Sequence, residues 1–150
     1  MTAMKPDRDK WTEQDFDNFG WHDCCVHAIR FRNPDEGYDF DLVLDIDQIL
    51  EWIEVPGGFN FVVAPALLTF SNVNELVIDL ELAYKEHLEI NWIEREEISA
   101  EPYREFRWTI HFHSLTGHKN TIRFRSNGFV LALTKQLRTI ECQGLEDHER

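Results

Sequence analysis

Cations are scarce in this chain: 15 Lys and Arg stand against 28 Asp and Glu, for a formal net charge of −13 over 150 residues. A field of that sign repels phosphate backbones and anionic headgroups, so neither nucleic acid nor a charged membrane surface is expected as a direct partner. Cysteine is scarcer still. Cys24, Cys25 and Cys142 are an odd number without regular spacing, which is no disulfide framework and fits reduced thiols. No apolar run approaches the roughly 20 residues of a membrane span, and residues 1 to 10 contain no apolar h-region, so the expected compartment is the cytoplasm. A phosphate-cradling glycine loop, a dinucleotide fingerprint and a nucleophile elbow are all missing, and no catalytic residue is assigned.

What is present is material for one core. Hydrophobic residues make up 43% of the chain, with eleven Phe and five Trp, enough for a single domain of this length. The expected organisation is a loosely packed arm over 1–18, fastened by Trp11, Phe16 and Phe19, then a β-rich domain over 19–141 and a frayed tail over 142–150.

Period-two alternation carries the fold reading, because successive strand side chains point to opposite faces. In Asp39-Phe-Asp-Leu-Val-Leu-Asp-Ile-Asp47 it sends Phe40, Leu42, Leu44 and Ile46 inward and Asp39, Asp41, Asp45 and Asp47 outward. Glu75 to Leu82 sends Leu76, Ile78, Leu80 and Leu82 inward, and Leu88, Ile90 and Trp92 continue that set with Glu89 outward. Tyr103 to Ser114 buries Phe106, Trp108, Ile110 and Phe112 and exposes His111 and His113, and Phe124 belongs to the strand that follows. Turns are expected at Asn33 to Gly37, Pro56 to Gly58 and Ser71 to Asn74. Helical spacing of Phe129, Val130, Leu133 and Leu137 predicts one short helix. The fold class is therefore mainly β: a single-domain antiparallel sandwich or curved sheet of about seven strands with a short C-terminal helix.

Register locates the charges. A three-residue loop at Thr116-Gly117-His118 sets His111 opposite Arg123 and Thr109 opposite Arg125, a cationic outward face. The preceding hairpin pairs Glu81 or Asp79 with Glu89, which leaves like charges opposed at some cost. Asp41, Asp45, Asp79, Glu81 and Glu89 thus form a candidate acidic face for a basic partner.

The chemical candidates are imidazoles. His22 and His27 in Trp21-His-Asp-Cys-Cys-Val-His27, with His111 and His113 on one strand face, are ligand types for zinc, which makes a small metal-dependent enzyme or metabolite-binding β domain the alternative reading. Arg123 beside His111 opposes a cation there, and the aspartates lack the glycine and terminal glutamate of a calcium loop. No cofactor or metal is expected. Cys24 and Cys25 read as inert buried thiols, since neighbours on one strand present no nucleophile–base pair with His27.

The opening Phe19-Gly-Trp-His-Asp23, followed by an apolar strand, Asp41-Leu-Val-Leu-Asp45 and Val63-Ala-Pro-Ala66, resembles small uncharacterised bacterial proteins. Some with a similar His-Asp-then-strand opening are grouped as immunity proteins of polymorphic toxin systems. The resemblance covers about a third of the chain. It implies a cytoplasmic, non-enzymatic protein that binds a toxin, often a basic nuclease, and it carries over no functional residue. Both lines of reading meet on a protein-binding domain with a basic partner.

Overall fold

The computed structural model describes residues 8–33, 39–100 and 102–150. Among these described residues nine strands form one antiparallel sheet: β1 (Lys10–Thr12), β2 (Cys25–Arg32), β3 (Phe40–Val55), β4 (Gly58–Asp79), β5 (Leu88–Ser99), β6 (Glu105–Phe112), β7 (Thr121–Ser126), β8 (Gly128–Leu133) and β9 (Arg138–Ile140). Short 3-10 turns cover Glu13–Asn18 and Asp147–Glu149. The expected turn at 33–37 falls mostly on Pro34 to Gly37, outside the described residues.

β3 and β4 organise the sheet. Their hairpin closes with Val55 opposite Gly58, around Pro56 and a Gly57 whose φ is 88°, a conformation that suits glycine and follows the fixed φ of proline. Pro65 lies where the strand on the far side of β4 changes from β9, whose first residue Arg138 is opposite Val63, to β8, whose last residue Leu133 is opposite Ala66. A residue without an N–H fits that gap. The turn expected at 71–74 is instead a bend within β4. Asn72 and Glu75 take φ values of 51° and 50°, the register shifts between Asn74 and Val77, and the strand leaves β3 and β8 to pair with β7. The hydrogen-bonded path therefore closes on itself through β4, β3, β2, β5, β6 and β7. Its narrowest seam is β2 against β5, joined by only two residue pairs, Cys25 with Glu89 and Val26 with Leu88.

Aromatic rings fill the interior. Trp108 is fully enclosed, with ring centroids of Phe70, Phe106, Phe16 and Phe129 at 5.1, 5.4, 5.5 and 5.7 Å. Leu44, Phe112 and Phe124 are buried as the alternation predicts. Ile78 is not: it is 43% exposed although it pairs with the buried Ile122, while Leu76 and Leu80 of the same parity are half-buried against the core. Trp92 is exposed because of a bulge between Ile90 and Trp92 that hands the inward position to Ile93.

The predicted helix is a strand. Phe129 to Leu133 pairs on one side with β4 and on the other with β1, and Leu137 packs on Val62 and Ala64. A short apolar run has the same hydrophobicity in either form, and two partner edges decide for the strand. The register of β6 with β7 also differs by two residues: Thr109 faces Arg123, His111 faces Thr121 and Arg107 faces Arg125. The two opposed guanidiniums are compensated separately, Arg125 by Glu105 at 2.9 Å and Arg107 by Glu96 at 3.3 Å. The hairpin expected to oppose Glu81 or Asp79 to Glu89 does not form, because the end of β4 pairs with β7.

Candidate functional site

The five acids expected on one outward face are dispersed, and their partners explain why. Asp41 is 7% exposed and Asp47 fully enclosed, so this strand is covered on both faces. Asp41 pairs with Arg32 across the β2–β3 ladder at 2.9 Å. Asp79 lies 2.7 Å from His118 Nε2, with Glu81 3.9 Å from the other ring nitrogen. Asp45 is held by Arg150, and Glu89 lies at the β2–β5 seam.

What covers Asp47 is the segment Gln143 to Arg150. Leu145 donates its N–H to Asp47 Oδ2 at 2.8 Å, and the Arg150 guanidinium spans Asp47 Oδ1 and Asp45 Oδ1. His27 Nε2 takes the remaining side of Asp47 at 2.6 Å. Gln143 Nε2 donates to Asp23 Oδ2 at 2.7 Å. The tail expected to be frayed is thus fastened to three carboxylates, and Leu145 is 5% exposed.

Between this segment and the seam lies an open groove of about 740 Å³. Its lining includes the carboxylates of Asp23, Glu89, Glu146 and Asp147 and the imidazoles of His27, His87 and His148, and among the described residues no Lys or Arg lines it. Two thiols lie nearby, Cys25 in the lining and Cys24 next to it in the chain. Burial pushes Cys24 up to about 12 and Cys25 up to about 11, the latter helped by the negative charges of Asp47 and Glu89.

The histidines fall into separate places. His22 and His113 converge on Asp23: His22 Nδ1 is 3.0 Å from Oδ2, His113 Nε2 is 2.8 Å from Oδ1, and the rings stand perpendicular at 5.2 Å. The fold imposes this convergence. Asp23 has φ of 67° and donates its N–H to Ile90 O, while His113 N donates to Glu89 O. The buried Asn120 bonds both Glu81 and His113 backbones, fixing the segment after β6. His27 belongs to a second group with Cys25 and Asp47. His111 joins neither; it stacks on Trp92 at 4.1 Å and approaches Glu94, whose carboxyl is held below the usual glutamate range first by the Trp92 indole and then by His111.

Sequence reasoning named His22, His113 and Glu89 but missed Asp23 as the hub of the two histidines, and Gln143 and Arg150 as the cover. The adjacent His-Asp pair was visible as a signal for the first. Nothing in the pattern of residues 143–150 signals the second. No family model, curated protein or solved structure matches the chain.

Proposed function

We propose that this is a non-catalytic binding domain whose groove at the β2–β5 seam receives a cationic side chain of a basic protein partner. One observation carries the reading: Glu89, Glu146 and Asp147 line the groove beside an Asp23 already bonded to His22, His113 and Gln143, and among the described residues no Lys or Arg lines it. Carboxylates gathered without a counter-charge repel one another, and a guanidinium or ammonium from outside relieves that repulsion while the overall charge of −13 speeds its approach.

Arg150 supports the chemistry, since a guanidinium of the chain itself already bridges the neighbouring Asp45 and Asp47. Planar bidentate pairing of this kind is what arginine provides and lysine does not. The raised thiols of Cys24 and Cys25 leave the groove without an activated nucleophile. The resemblance to immunity proteins gives the partner a class, a basic toxin such as a nuclease, bound in the cytoplasm.

Titration of the whole chain with an arginine-rich hexapeptide, followed by backbone amide shifts, tests the location. Shifts gathered on His87, Glu89 and residues 144–148 support the reading, whereas shifts spread over the acidic surface as a whole refute it.

A further inference from the structure

The exclusion of a metal near the histidines rests on Arg123 standing beside His111, and the observed register removes that neighbour from the argument: Arg123 faces Thr109. The imidazoles that converge are also different ones. His22 comes from the turn before β2 and His113 from the segment after β6, and both direct a ring nitrogen at the carboxylate of Asp23.

We propose that His22, Asp23 and His113 form a three-ligand site for a divalent transition-metal ion, with zinc as the reference ion. One ligand atom from each of the three residues lies within 4.8 Å of the others. Bonds of about 2.0–2.2 Å to a tetrahedral ion place ligand atoms roughly 3.4 Å apart, so the His–Asp contacts of 2.8 and 3.0 Å open by about half an ångström to admit the ion. Two imidazoles and one carboxylate are borderline ligands that suit zinc and its neighbours better than calcium or magnesium, which take oxygen. Gln143 is placed as an outer-shell partner, since its amide donates to Asp23 Oδ2 and fixes the carboxylate. The site is also open on one side. The His22 side chain is 57% exposed, leaving room for water or a ligand in the remaining position.

The second group, Cys25, His27 and Asp47, is a poorer host. The Arg150 guanidinium and the Leu145 N–H already occupy Asp47. This inference shares Asp23 with the guanidinium-binding reading, but the acids that test that reading, Glu89 and Asp147, are not ligands here, so the two fail separately.

Calorimetric titration of the chelator-treated full chain with Zn²⁺, and visible absorption of Co²⁺ added in its place, test the site. The expected result is saturable binding of one ion per chain that is lost in His22→Ala and in His113→Ala and kept in His27→Ala and His111→Ala. Gln143→Leu should weaken it by about 10- to 100-fold. Because His22 is exposed, His22→Ala decides the matter even if His113→Ala folds poorly by circular dichroism. No saturable binding, or binding that survives His22→Ala, overturns the proposal, as does binding lost only in His27→Ala.

Discussion

Arg150 and Asp47 are the pair that turns an acidic strand inward: the guanidinium meets a carboxylate with no exposed surface, across more than a hundred residues of chain. Removing one member of a buried, hydrogen-bonded ion pair leaves the other uncompensated, which costs about 3 to 5 kcal/mol in fully enclosed cases. Arg150 itself keeps 15% of its side-chain surface, so the lower end of that range applies. Urea unfolding of Arg150→Ala should therefore show a clear fall in midpoint. Asp47→Asn with Arg150→Leu should recover part of it, since an apolar neighbour tolerates a neutral amide better than a bare carboxylate. An unchanged midpoint for Arg150→Ala would mean that segment 143–150 is not fastened as described.

Trp108 lies at the centre of the aromatic interior. Truncation to alanine should cost about 3 to 5 kcal/mol, the range for removing a large buried aromatic. Loss of stability should appear equally by fluorescence and by far-ultraviolet circular dichroism, because one core serves the whole closed sheet. A cost under about 1 kcal/mol would contradict the placement of this ring among Phe16, Phe70, Phe106 and Phe129.

These two cases show where the sequence was legible. Alternation along β6 names Phe106, Trp108, Ile110 and Phe112 correctly because one partner face covers the whole strand. It fails for Asp41 and Asp47, where the parity is right but the outward side is covered by Arg32 and by residues 143–150, which no local pattern foretells. It fails again at Trp92, since a bulge reverses parity and nothing in a strand's composition announces it. The β6–β7 register was off by two because Asn120, bonded to Glu81 and His113, lengthens the loop beyond its turn residues. Of the site, the His-Asp pair at 22–23 was on view, and its union with His113 depends on the backbone bonds of Asp23 to Ile90 and of His113 to Glu89.

Thiol reactivity should separate the three cysteines. Burial raises Cys24 from 9.0 to about 12 and Cys25 to about 11, so near pH 8 their thiolate populations are about a thousandfold and a hundredfold below that of an unperturbed thiol. Raising the pH towards those values should restore their reactivity. Cys142 is exposed. Timed alkylation at pH 8, followed by peptide mass spectrometry, should show Cys142 modified first and Cys24 last. Rapid labelling of Cys25 would indicate that residues 143–150 lift away from the seam.

Whether the groove or merely the net charge recognises a basic partner is decided by two variants of equal charge. Glu89→Gln with Asp147→Asn neutralises two groove carboxylates, and Glu51→Gln with Glu54→Gln neutralises two exposed carboxylates on β3 that do not line it. The measurement is the affinity of each double variant for a fluorescent arginine-rich hexapeptide, taken across a salt series. Weakening of roughly tenfold, about 1.4 kcal/mol, is predicted for the groove pair, with little change for the β3 pair. Equal weakening by both pairs would contradict the account, leaving the acids as a general field without a binding groove.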